Sequence, residues 1–309
     1  LFKLLKKAIS QNVTVAICPG ISGMTIARVR REPELPPVLE VCESYASAPS
    51  DDQAGLLASL RKQHHLDEYP CVSVMDIGSY HLLLVEAPDV QPAELRAAIR
   101  WRVKDLIDFH LDDAVIDVFE VPHQKAAGRN RMMYAVVAKS TQVKKRIDEL
   151  VNAGINLSVV DIPELVLRNI AALLPEDVGG VALLYLTDDT GIITLTRQGT
   201  LYLSRQIDIG TNDLAAGKDN YDSLVVELQR SLDYYESHFS QPAVSSVVIT
   251  PMSQPLPGLV DYLQGQLDLN VRMMDLNQLI DIPTVMDEIS QAQCLLAIGA
   301  ALREEVRTL

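Results

Sequence analysis

No stretch of the 309 residues approaches the roughly 18 consecutive apolar residues a membrane-spanning helix needs, and no signal-peptide pattern is visible, so the chain is expected in the cytoplasm. Positive charge is in short supply. Against 41 Asp and Glu stand 27 Lys and Arg, a net charge of -14 that excludes face-wide attraction to nucleic acid. The four cysteines, Cys18, Cys42, Cys71 and Cys294, form no CxxC pair, which argues against a metal knuckle or a redox motif and fits buried thiols in a reducing compartment. His64 and His65, with Asp67 and Glu68 nearby, lack a helical i, i+4 pair, so no metal site is expected. There is no G-x-S-x-G elbow.

What is present is alternation. A chain of this length, 48% hydrophobic and 22% charged, suits about two lobes. Residues 13–17 and 24–29 read as a hairpin broken by Pro19-Gly20, followed by a strand at 38–42 and a helix at 51–63 capped by Asp51 or Asp52. From Pro92 the spacing turns helical, with Leu95, Ile99, Val103 and Leu106 on one side. Strands at 114–121 and 132–138 flank a basic loop, and a helix at 142–152 stops at Gly154. Residues 90–157 thus read as a helix, strand, strand, helix insert. After a strand at 158–161, a helix at 163–174 and the Gly179-Gly180 hinge, the hairpin pattern returns at 181–206. A helix at 222–238, a strand at 244–249, a helix at 259–267, a strand at 271–274 and a helix at 288–303 complete a second half.

The tetrapeptide Asp76-Ile77-Gly78-Ser79 has the letters of a phosphate-binding hairpin. It follows two strands and a helix, however, where a later core strand is expected, so it is read as a turn eased by Gly78 on the way to the insert.

Three stretches resemble the PilM-like family of type IV pilus biogenesis: AELRAAIRWRVKDLIDF, VKKRIDELVNAGINLSVVDIPELVLRNIAALL and LVVELQRSLDYYESHF. RWRVKDLIDFHLDDAVIDVFEVP is most similar to the branch serving mannose-sensitive haemagglutinin (MSHA) pili. The resemblance implies an α/β, two-lobed actin-like fold of duplicated ribonuclease H-like units. The first lobe would be 1–89 and 158–180, the insert 90–157 and the second lobe 181–309.

The family carries three nucleotide loops, and each departs from its pattern here. In AICPGISGMTIARV, Cys18 stands in place of the metal-orienting acid and Pro19 removes an N–H, leaving Gly20, Ser22 and Gly23 as remnants of a phosphate cradle. In LYLTDDTGIITL, Tyr185 takes the acid position and Thr187 the glycine, with Asp188, Asp189 and Thr190 as the groups left to meet a cation or phosphate. In TPMSQPLPGL, Pro251, Met252 and Ser253 replace a glycine run, and their bulk is expected in the adenosine seat. With both orienting carboxylates replaced, the expectation is a pseudo-ATPase with no catalytic residue, no metal and no required cofactor.

The resemblance further implies a cytoplasmic scaffold peripheral to the inner membrane, linked to the pilus motor assembly. It would receive the N-terminal tail of a PilN-like bitopic partner, in the MSHA branch a MshJ-type protein. Within the insert, Trp101, Arg102 and Phe109 are the expected anchors. Residues 1–9, LFKLLKKAI, and the basic loop with Lys125, Arg129 and Arg131 are further places where lipid could be touched. Two alternatives stay open. One is an ATP-binding switch or slow ATPase using Ser22 and residues 188–190. The other is the cytoplasmic domain of a type II secretion L-type protein, which would need a transmembrane helix to follow.

Overall fold

The structure is a computed structural model and describes residues 12–20, 23–33, 35–46, 53–91, 94–121, 131–239 and 241–304. Its first sheet is built from β1 (Val13–Gly20), β2 (Gly23–Arg30), β3 (Val38–Ala46), β4 (Cys71–Val74) and, later in the chain, β8 (Leu157–Asp161). The first three strands run antiparallel, and β4 and β8 continue the sheet in parallel beside β1, giving the order β3-β2-β1-β4-β8. Pro19 does not end β1, because the ladder continues through Pro19↔Met24 to Gly20↔Gly23. β4 pairs with β1 only at Val15 and Ala16, so Pro19 lies on an open stretch where a missing N–H costs little.

The second sheet repeats this order as β11-β10-β9-β12-β13, from β9 (Val181–Leu186), β10 (Gly191–Arg197), β11 (Thr200–Ile207), β12 (Ser246–Ile249) and β13 (Asn270–Met273). β9 is apolar almost throughout, and β9 and β10 are buried on both faces, as central strands between helical layers must be. Two sheets of one topology in one chain make a duplicated ribonuclease H-like, actin-like fold.

Helices fill three layers. On the outer face of the first sheet, α1 (Gln53–His64) supplies Leu57 and Leu60 to a core with Val15, Ile17 and Ile26. α3 (Ser140–Asn152) adds Leu150 to that core. On the outer face of the second sheet lie α6 (Asp219–Phe239) and α7 (Leu259–Leu267), with the short α5 (Thr211–Ala216) leading in. Between the sheets are α4 (Pro163–Ala171), opened by Pro163 in its first turn, and α8 (Glu288–Ala301). Both are buried on nearly all sides and share one core with both sheets. Sequence order groups α8 with residues 181–309, yet it lies against β1, β2 and β3 of the first sheet and against α4. Gly299 permits the close crossing: a Cβ there would meet Val166 Cγ1 at 2.6 Å and the Val166 carbonyl at 2.7 Å.

This return brings Cys42 on β3 to Cys294 on α8, joined as a disulfide with Cα atoms 6.5 Å apart. The reading of four reduced thiols is corrected for these two. A separation of 252 residues hides the pair from any spacing rule, while Cys18 and Cys71 remain free and buried.

A third sheet, of order β5-β7-β6, comprises β5 (Tyr80–Glu86), β6 (Ala114–Glu120) and β7 (Met132–Lys139). α2 (Leu95–Val103) covers one face of it through Ile99 and Val103. The sheet therefore begins at Tyr80, ahead of residue 90, with Tyr80 opposite Ala138. α3 belongs to the first lobe as the crossover between the parallel strands β4 and β8, a connection that cannot be a tight turn. The added unit is thus strand, helix, strand, strand.

Candidate functional site

The parallel strands of the first sheet end together, and their carboxyl ends carry Cys18 on β1, Asp76 just beyond β4 and Asp161 at the end of β8. Ligand sites of open α/β sheets form at such ends. Here each polar group is already engaged or silent. Burial pushes the Cys18 thiol up to about 12, so it is a neutral group near the end of β1. Asp76 pairs with Arg146 on α3, Oδ2 to guanidinium 3.0 Å. Asp161 is 3% exposed; burial pushes its carboxyl upward, opposed by the paired guanidinium of Arg303 and by the Ile162 N–H at 2.9 Å.

Asp76-Ile77-Gly78-Ser79 forms the β4–β5 turn and lies outside the β1–β2 hairpin. The Ser79 N–H donates to the Asp76 carbonyl at 3.0 Å and Gly78 takes φ +81°. Sequence reasoning dismissed this turn, but Asp76 and Ser79 line a cavity of about 510 Å³. The hairpin contributes Pro19, Gly23 and Met24, α1 contributes Gln53 and Leu56, and α3 contributes Gln142, Lys145, Arg146 and Glu149. Its walls mix apolar side chains with charges of both signs. It opens where the first lobe meets the base of the third sheet. No motif marks it, because its residues come from four separate segments that only the fold assembles.

Gly20 and Gly23 pair across the hairpin end, and Gly23 borders this cavity; Ser22 lies outside the described residues. Asp188, Asp189 and Thr190 belong to the β9–β10 turn of the second lobe, which is closed on itself. The Thr187 hydroxyl accepts from the Thr190 N–H at 3.1 Å, and the Thr187 N–H donates to the Thr190 carbonyl at 2.8 Å. The start of α5 seals the other side. The N–H groups of Thr211 and Asn212 donate to the carbonyls of Thr187 and Asp188 at 2.8 and 3.0 Å, and Asn212 Nδ2 donates to Asp189 Oδ1 at 3.2 Å. Only glycine fits at Gly210, since a Cβ would overlap the Asp188 carbonyl. Tyr185, on β9, is a neutral phenol that burial pushes up to about 12.

In the third loop Met252 and Leu256 turn inward and join the apolar core of the second lobe. Gly258 at φ +82° then starts α7. Of the three residues expected to crowd an adenosine, Pro251 and Met252 are buried and Ser253 is half-buried.

The three insert residues do not converge. Trp101 is 71% exposed on the outer side of α2, and Arg102 reaches Glu86 at 3.3 Å. Phe109 is half-buried, stacked on His81 with centroids 6.0 Å apart, with Lys139 Nζ 5.2 Å from its ring. None of them lines the cavity. Arg131 pairs with Glu120 at 3.1 Å, whereas residues 1–9, Lys125 and Arg129 lie outside the described residues. Among the described residues no cluster of His, Cys, Asp and Glu could hold a metal, and no helix is long and apolar enough to cross a membrane.

No family model and no curated protein matches the chain. Among solved structures, a chain of the PilM-PilN type IV pilus biogenesis complex superposes with a TM-score of 0.74 at 18% identity, covering 94% of this chain and 97% of that one. The cytoplasmic domain of EpsL, an inner membrane component of the type II secretion system of Vibrio cholerae, superposes with a TM-score of 0.50 at 14% identity, covering 95% of each chain. At these identities the similarity is one of fold.

Proposed function

We propose that this chain is a PilM-like scaffold of type IV pilus biogenesis, of the MshI kind that serves MSHA pili, and that it docks the N-terminal tail of a PilN-like, MshJ-type membrane partner. The observation that carries the reading is the superposition over nearly the whole chain on a structure solved as PilM with PilN. The 510 Å³ cavity supports it, being of a size for a few residues of extended peptide, lined by apolar anchors and by polar groups that can meet a backbone. The scaffold works without nucleotide in this reading. Cys18 and Tyr185 are uncharged where magnesium would need acids, and arginines hold Asp76 and Asp161.

Fluorescence anisotropy of a labelled peptide from the tail of the MshJ-type protein tests the docking, alongside isothermal titration with ATP and magnesium. Gln142→Trp fills the cavity from an exposed first-turn position of α3 and is expected to weaken the peptide at least tenfold with unchanged melting. Peptide binding indifferent to Q142W would refute the seat. Low-micromolar ATP binding would replace the scaffold by a nucleotide-dependent switch.

A further inference from the structure

The third sheet touches more than the lobe it is inserted into. Alternation along β7 sends Met133, Ala135 and Val137 toward α2 and turns Tyr134 to the opposite face. There Tyr134, 1% exposed, joins Phe119, Val121, Leu82 and Leu84 in the apolar cluster of the second lobe, beside Tyr202, Tyr235 and Phe239. The Phe119 and Tyr134 rings stack with centroids 5.1 Å apart. The Tyr134 hydroxyl accepts the Ser204 N–H at 3.0 Å and donates to the Tyr202 carbonyl at 3.3 Å, both on β11. That strand is the outer one of the second sheet, so a side chain here does what a neighbouring strand would do for an open edge.

Covalently, the unit belongs to the first lobe, since the chain enters it from β4 and leaves into α3. It therefore crosses from one lobe to the other. We propose that it is a strap that holds the two lobes at a fixed angle, with Tyr134 as its fastening. Parting them on this side would expose the Tyr134, Phe119 and Val121 side chains and leave a backbone donor and acceptor of β11 unpaired. The hinge motion by which two-lobed proteins close on a ligand is thereby opposed from outside the cleft, a property that does not depend on what occupies the cavity.

Spin labels on p-acetylphenylalanine in place of Lys62 on α1 and Gln266 on α7, both exposed, leave the four cysteines untouched. Double electron–electron resonance then reports the angle between the lobes. The expected result is one narrow distance distribution, the same with and without millimolar ATP and magnesium, that widens when Phe119→Ala and Tyr134→Ala are combined. A distribution that is broad in the wild type, or that moves with nucleotide, overturns the strap without recourse to any variant. So does one that stays narrow in the double variant. Tyr134→Phe keeps the ring and removes only the hydroxyl; hydrogen exchange at the Ser204 amide should then accelerate roughly tenfold. Unchanged exchange there would overturn the fastening role.

Discussion

Replacing Gly299 by alanine sets two effects against each other, and the structure decides which wins. Position 299 lies inside α8, where alanine normally gains about 1 kcal/mol over glycine. The new methyl, however, would sit 2.6 Å from Val166 Cγ1, 2.7 Å from the Val166 carbonyl oxygen and 2.8 Å from Ile170 Cδ1. The carbonyl is part of α4 and cannot swing aside, so the two helices must part. Overpacking of this kind costs about 1–3 kcal/mol. Separation also stretches the 2.9 Å hydrogen bond from Asn169 Nδ2 to the Gly299 carbonyl, adding about 1 kcal/mol. A net loss of about 2 kcal/mol follows. With an unfolding entropy of about 0.6 kcal/mol/K for a chain near this length, the melting temperature should fall by about 3 °C. Gly265→Ala in α7 is the control: nothing lies within 4 Å of its Cβ position, so helix propensity acts alone and calorimetry should show a gain. If G299A stabilises the protein as G265A does, the close α4–α8 crossing is wrong.

Other outcomes follow from buried polar groups and the cross-link. Burial raises the Glu164 carboxyl, although the Tyr80 hydroxyl donates to it at 2.6 Å. A carboxyl whose folded value lies above its unfolded one costs stability once pH passes the unfolded value. Glu164→Gln, which still accepts from Tyr80, should therefore stabilise the protein at pH 7 and lose that advantage below the ordinary value of 4.5; urea titrations across pH check this. Arg303→Met strands the buried Asp161 and should cost about 3–5 kcal/mol, much of it recovered when Asp161→Asn is added. Alkylation of the unfolded, unreduced protein should tag two cysteines by mass spectrometry, Cys18 and Cys71, and all four after reduction. Because the bridge spans 252 residues, reduction should cost about 3–5 kcal/mol.

Much of the fold was legible because periodicity is local. The β-branched and aliphatic runs of β1, β9 and β10, and the hydrophobic spacing of α3 and α6, announce themselves within a dozen residues, and the repeated hairpin betrays the duplication. What escaped depends on pairing at a distance. Tyr80–Glu86 reads as an ordinary strand whichever sheet it joins, and only its register with β7 assigns it to the insert. The cavity escaped for the same reason: Arg146 looks like one more charge on an amphipathic helix until the β4–β5 turn brings Asp76 to it. Cys18 and Tyr185, by contrast, were singled out through the family resemblance, and the structure adds that burial holds both uncharged.

The homecoming of α8 bears on how the protein is made. Ribosomes deliver the first sheet early, yet the inner face of that sheet, with Ala16, Cys18, Val72 and Val74, is covered by Leu295, Ile298 and Ala301, which emerge more than two hundred residues later. Through most of synthesis the nascent first lobe thus carries an apolar face without its lid. Folding in vivo should be concluded after translation rather than lobe by lobe, and a nascent chain arrested before residue 288 should remain a client for holding chaperones.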